Sequence, residues 1–190
     1  MQTATDSAKG FTPGAGAEAR FRSLLDEHQS MVFSIAYRML GDRGLAEEVA
    51  QDVFLELYRW LDRLQSDAHA TFWLRRTATH RATDAIRRRR VRPEAAAEEW
   101  EESFDRAVFA SGGRGEERNL VVSARLERAL LTLPEQQRAA VVLRYQEDMS
   151  PEEIAKVTGD SLAAVKSHLQ RGMALLRRKS EVLLKEFVRG

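Results

Sequence analysis

Residues 150–178 read SPEEIAKVTGDSLAAVKSHLQRGMALLRR. Ser150 is a good N-cap, Pro151 suits the first helical position, and Glu153 three residues after Ser150 completes a capping box. The helix that starts there must be short, because Gly159 follows within ten residues and can take the left-handed backbone of a tight turn. Asp160 and Ser161 then cap a second, longer helix that runs to about Phe187. Leu162, Val165, Leu169, Met173 and Leu176 fall at helical spacing on its inward side, where Ile154 and Ala155 of the short helix can meet Val165 and Leu169. This is the layout of a helix-turn-helix. On the outward face lie Lys166, Ser167, His168, Gln170 and Arg171. Such side chains donate to phosphates and to base edges in the major groove. A generic helical hairpin with a solvated face has the same spacing, so the motif alone leaves both readings open.

Upstream, two more helices complete the C-terminal half, about 119–131 and about 134–146, with Pro134 in the first turn of the second. Before them the composition changes. Glu94, Glu98, Glu99, Glu101, Glu102 and Asp105 occur with no basic residue among 94–105, and Ser111-Gly112-Gly113-Arg114-Gly115 follows. The stretch 93–118 reads as a flexible acidic linker.

Three amphipathic helices precede it. The first, about Phe21 to Leu40, carries Phe21, Leu24, Leu25, His28, Met31, Val32, Ile35, Ala36, Met39 and Leu40 on one side, and 41–44 break it. The second, about 45–64, buries Ala46, Val49, Ala50, Val53, Phe54, Leu57 and Leu61. Its outward face holds Glu47, Glu48, Gln51, Asp52, Leu55, Glu56 and Arg59, where Leu55 is an apolar residue in an acidic surface. Asp67 is a candidate N-cap for the third helix, Ala68 to about Arg90. That helix opens on Phe72 and Trp73 and ends on Arg87 to Arg90. Arginines with aromatics suit single-stranded or opening DNA, through phosphate contacts and base stacking. A solvated helix end with its aromatics in the core, Phe72 above all, is the competing reading.

Composition removes several classes. The 190 residues include no cysteine, so disulfides, thiolate nucleophiles and cysteine-held metals are excluded. The four histidines, His28, His69, His80 and His168, lack ligand spacing. No phosphate-cradling loop, nucleophile elbow or zinc-protease motif occurs. Neither a membrane span nor a secretory leader is visible, and residues 1–17 read as a disordered lead-in. The net charge of +1 says nothing about partners.

Taken in order, these parts resemble the extracytoplasmic-function group of bacterial sigma factors, over about Phe21–Arg92 and Leu120–Lys179. GDRGLAEEVAQDVFLELYRWLDRL (41–64) is similar to that family's polymerase-docking segment. FWLRRTATHRATDAIRRRR (72–90) looks like its promoter-melting helix. LTLPEQQRAAVVLRYQEDMSPEEIAKVTGDSLAAVKSHLQRGMALLRR (131–178) looks like its C-terminal helix-turn-helix domain. The resemblance implies an all-α chain of two small domains, 18–92 and 119–188, joined by the flexible linker. Core RNA polymerase would be met at its clamp by Gln51, Asp52, Leu55, Glu56 and Arg59, and at its flap by the C-terminal domain. The −10 element would be read and melted by Asp67, His69, Trp73, Arg76, His80, Arg87 and Arg88, within the 65–71 loop and the third helix. The −35 duplex would be read by Lys166, Ser167, His168, Gln170 and Arg171, and the acidic linker would thread the polymerase cleft.

Two positions depart from the family's habit: Thr79-His80, where it often has Arg-Asn, and His168, where it commonly has Arg. The resemblance further implies a cytoplasmic protein without catalysis, cofactor or metal, whose partners are polymerase, promoter DNA and an anti-sigma factor. An autonomous helix-turn-helix regulator and a helical protein-binding adaptor are the alternatives. The first would need an apolar dimerisation face, and none is obvious.

Overall fold

The computed structural model describes residues 15–91 and 124–189, and every regular element among them is helical. The expected linker 93–118, and the lead-in up to residue 14, lie outside the described residues. Helix α1 is Ala15–Leu40, α2 is Arg43–Trp60, and a 3-10 turn, Leu61–Arg63, leads toward α3, Asp67–Val91. Helix α1 thus starts several residues before Phe21. The alanines, Glu18 and Arg20 of its first turns are strong helix formers. Arg22 pairs with Glu18 one turn back, and Arg20 donates to the carbonyls of Leu61 and Leu64.

The three helices close around one core, formed by Val32, Ile35, Ala36 and Met39 of α1, Ala46, Val53 and Leu57 of α2, and Ala70, Leu74, Ala78 and Ala82 of α3. Helix α3 contributes mostly alanines, so its backbone lies close to the other two. The α1–α2 turn is built locally. Gly41 sits at φ +69 with its N–H on the Tyr37 carbonyl, and the Asp42 carboxylate caps α2 by accepting from Leu45 N–H at 2.9 Å. The cap of α3 is Ser66, whose hydroxyl accepts from His69 N–H at 3.2 Å. Asp67 is already the first helical residue, where a carboxylate still favours the positive end of the helix dipole.

In the C-terminal half, α4 spans 124–131 in the described region. Helix α5 is Glu135–Tyr145, α6 is Pro151–Thr158 and α7 is Leu162–Arg189. Pro134 precedes α5 as its cap residue at ψ 146, rather than lying in its first turn. Residues Ala139, Ala140, Val141, Val142 and Leu143 are all buried. A helix buried on every side lies inside its fold. Ala139 joins the N-terminal core, Ala140 and Leu143 join the helix-turn-helix core, and Val141 packs with Leu130, Leu133 and Leu176. Helix α5 is therefore the axle between the two halves.

Those halves touch along α3. Phe72 leaves its own domain's core and packs against the cluster of Ala140, Leu143, Met149, Ile154, Val157 and Val165. Arg138, buried in α5, donates to the Met39 carbonyl at the end of α1 and to the carbonyls of Leu131 and Leu133. Burial, and then Arg90 nearby, pull its guanidinium down to about 10, with Glu135 opposing the shift. The same junction leaves no room at Gly41, where an added Cβ would lie 2.3 Å from a Leu131 methyl.

Candidate nucleic-acid interface

The helix-turn-helix forms by local rules. Ser150 Oγ accepts from Glu153 N–H at 3.2 Å, and Glu153 Oε2 accepts from Ser150 N–H at 2.8 Å. That reciprocal pair of hydrogen bonds satisfies two orphan donors and holds the Glu153 carboxyl below the usual carboxylate range, first through the Ser150 backbone and then through its hydroxyl. Gly159 turns the chain at φ +80, with its N–H on the Ala155 carbonyl, and Ser161 Oγ caps α7 by accepting from Ala164 N–H. Ile154, Val157 and Val165 are fully buried, with Ala155 and Leu169 packed beside them.

Of the outward residues, Lys166, Gln170 and Arg171 are exposed, whereas Ser167 and His168 are half-buried. His168 lies one helical turn before Gly172, which faces Val141 on α5, so His168 is drawn to the flank of the recognition helix. Its ring Nδ1 is buried without a hydrogen bond. Leu162, expected inside, is 36% exposed, because it opens α7 ahead of the point where α6 covers it.

On α3, Asp67, His69, Arg76, Arg87 and Arg88 are exposed, while Trp73 packs partly into the N-terminal core. The basic run is not a free patch. Arg81 donates to Glu56 of α2 at 2.7 Å, and Arg89 donates to Asp42 at 2.7 Å. His80 places Nε2 2.8 Å from the Val157 carbonyl of α6, and Arg87 donates to Glu135 of α5 at 3.1 Å. Arg75, absent from the sequence-derived site, donates to Glu147 at 2.9 Å. Phe72, Arg75, Thr79, Thr83 and Arg87 recur at three- and four-residue spacing, so this stripe was readable as a docking face. Its partner carboxylates in the other half carried no local signal.

The outer face of α2 presents Gln51, Asp52, Leu55 and Arg59 to solvent, with Leu55 52% exposed; Glu56 is half-buried and held by Arg81. Near the helix end, Trp60 is 40% exposed and lies under the Arg63 guanidinium, 4.2 Å from the ring centroid. This second exposed apolar group next to the expected docking face went unnoticed in the sequence. Among the described residues no cluster of metal-ligating side chains occurs, and no helix is long and apolar enough to cross a membrane.

Family models match both halves in order: sigma-70 region 2 over residues 24–92, and sigma-70 region 4 over residues 123–176. The chain belongs to the sigma-70 family of RNA polymerase sigma factors, in its extracytoplasmic-function group. It is 28% identical over 170 residues to the ECF RNA polymerase sigma factor SigW of Bacillus subtilis, covering 86% of this chain and 90% of that one. It is 36% identical over 159 residues to the ECF RNA polymerase sigma factor SigE of Mycolicibacterium smegmatis, covering 81% of this chain and 59% of that one. The fold is similar to that of the sigma factor RpoE in its complex with the anti-sigma factor NepR from Bartonella quintana. That match has a TM-score of 0.64 at 18% identity, covering 86% of this chain and 98% of that one.

Proposed function

We propose that this chain directs core RNA polymerase to promoters by dividing three tasks among the surfaces described above, with no catalytic step of its own. The outer face of α2, through Gln51, Asp52, Leu55, Glu56 and Arg59, docks on the polymerase clamp. Helix α3 captures unpaired bases of the −10 element through Asp67, His69, Trp73, Arg76, His80, Arg87 and Arg88. The start of α7 reads the −35 duplex through Lys166, Ser167, His168, Gln170 and Arg171, while its domain meets the flap and the linker 93–118 enters the cleft. The protein works in the cytoplasm, where polymerase and promoter are, and an anti-sigma factor restrains it, as NepR accompanies the Bartonella RpoE.

The observation that carries this reading is the capped helix-turn-helix that leaves Lys166, Gln170 and Arg171 exposed on one helix face. Capture of single-stranded bases, not bond chemistry, lowers the cost of opening the duplex. The test is transcription from a randomised promoter library by core polymerase with and without the full chain. Run-off transcripts should share two upstream elements only when the chain is present. Tight sequence-specific duplex binding by the chain alone, without such transcripts, would favour an autonomous regulator instead.

A further inference from the structure

Residues 65–69, between the 3-10 turn and the body of α3, are all exposed, and they are flanked by the buried Leu64 and Ala70. Helix α1 holds this exposed run at both ends. At the first end, Arg20 spreads its guanidinium over two backbone carbonyls: Nη1 donates to Leu61 at 3.4 Å and Nη2 to Leu64 at 2.8 Å. Carbonyls left behind by a finished helical turn need donors from outside it, and Arg20 supplies them. At the second end, Thr71 Oγ1 donates to the Asp67 carbonyl at 2.9 Å and lies 3.1 Å from His28 Nε2. A hydroxyl has one proton, so with that proton on the Asp67 carbonyl the imidazole Nε2–H is the donor to Thr71. Arg20, Leu24 and His28 follow each other at four-residue spacing on one stripe of α1, with Leu24 buried between the two polar groups.

Arg20 also lies 3.8 Å from the Asp67 carboxylate, but that carboxylate is 79% exposed, and an exposed ion pair is worth little. The directed bonds to the Leu61 and Leu64 carbonyls and to Thr71 are therefore what counts. An apolar side chain at position 20 or 28 would fill the same space; the donors add a fixed backbone path for 61–71. We propose that Arg20 and His28 are positioning residues for −10 recognition, clamping the exposed run so that Asp67 and His69 meet unpaired bases in one arrangement. The inference rests on the reading of 65–71 and α3 as the −10 surface. A site held by hydrogen bonds from behind is ordered before its ligand arrives, whereas a loose run must be ordered on binding and adapts to a wrong base.

The test is transcription by core polymerase with the full chain, from a library-derived promoter and from templates with single changes in the −10 or the −35 element. Arg20→Met keeps the stem and removes the donors. It should lower discrimination among −10 templates by roughly 3- to 10-fold, the value of one positioning hydrogen bond, and leave −35 discrimination and core-polymerase affinity unchanged. Arg20→Lys should recover only part, because a point charge cannot span two carbonyls. His28→Leu should lower −10 discrimination in the same way, and His28→Gln, which keeps an N–H donor, should restore most of it. Circular dichroism melts of all four variants measure any loss of fold. Equal loss at both promoter elements, or −10 discrimination unchanged in both Arg20→Met and His28→Leu, would overturn the positioning role. Asp67→Ala and His69→Ala test the underlying reading separately. If they lose −10 discrimination while the α1 variants keep it, the positioning alone fails. If they keep it as well, the −10 assignment fails with it.

Discussion

Substituting Leu55 by Asp separates a docking face from a folding face. Leu55 is 52% exposed, although Phe54 beside it and Leu57 two residues on are buried in the core. Full burial of a leucine is worth about 1.5–3 kcal/mol, so the half-buried side chain contributes roughly 1 kcal/mol to folding. Aspartate adds a small helix-propensity cost, faces Asp52 one turn before, and gains Arg59 one turn after. The net loss of about 1 kcal/mol should lower the melting temperature by roughly 2–4 °C for a chain of this size. At a polymerase interface the same substitution places an unpaired charge where an apolar anchor sat. A loss of about 2–5 kcal/mol is then expected, or roughly thirty- to several-thousand-fold in affinity. Leu57→Ala is the control. Leu57 is fully buried, and its truncation should cost about 2–5 kcal/mol of stability. Circular dichroism melts and titration of labelled core polymerase read the two quantities independently. If Leu55→Asp melts as early as Leu57→Ala, or binds polymerase like the unaltered chain, the face assignment is wrong.

Gly41→Ala and Gly159→Ala both force a left-handed alanine, at about 1–2 kcal/mol each, but only the first meets a neighbour, the Leu131 methyl at 2.3 Å. Urea melts should show the larger loss at Gly41, and equal losses would mean the Leu131 contact is soft. Ser150→Ala removes the reciprocal cap and should cost about 1 kcal/mol. The Glu153 carboxyl is lowered from 4.5 in the folded chain, so its contribution is present above the ordinary carboxylate range and fades as pH falls through the lowered value. Melts of Glu153→Gln should therefore differ from the unaltered chain at neutral pH and converge with it in acid; a constant difference across pH counts against the capping role. On α7, Arg171→Ala should weaken holoenzyme binding by roughly 1–3 kcal/mol at one −35 position if it reads a base. His168→Arg should tighten binding, because a longer side chain can reach out from that half-buried site. Unchanged transcription from every −35 mutant template, for both variants, would remove this helix from the DNA interface.

What the chain specifies locally was legible from its letters. The buried faces of α1 and α2 follow from a 3.6-residue period, and the helix-turn-helix follows from Ser150, Pro151, Glu153 and Gly159, each acting within four residues of itself. The order of segments was enough to reveal the family. Tertiary structure decided the rest, wherever a residue's role depends on a group distant in sequence. Ser66 and Asp67 are both able to cap, and only the assembled helix start chose Ser66. Phe72 had the look of N-terminal core, yet it packs, partly buried, against the cluster of Ala140, Leu143, Met149, Ile154, Val157 and Val165. Helix α5 has an ordinary amphipathic sequence but lies buried along Ala139 to Leu143 because two cores close on it from opposite sides. Arg87, read from sequence as a free cation, is held by Glu135, 48 residues away. Periodicity reports which face of a helix is apolar, but not which distant carboxylate will meet its polar face, because that pairing exists only once both halves have packed.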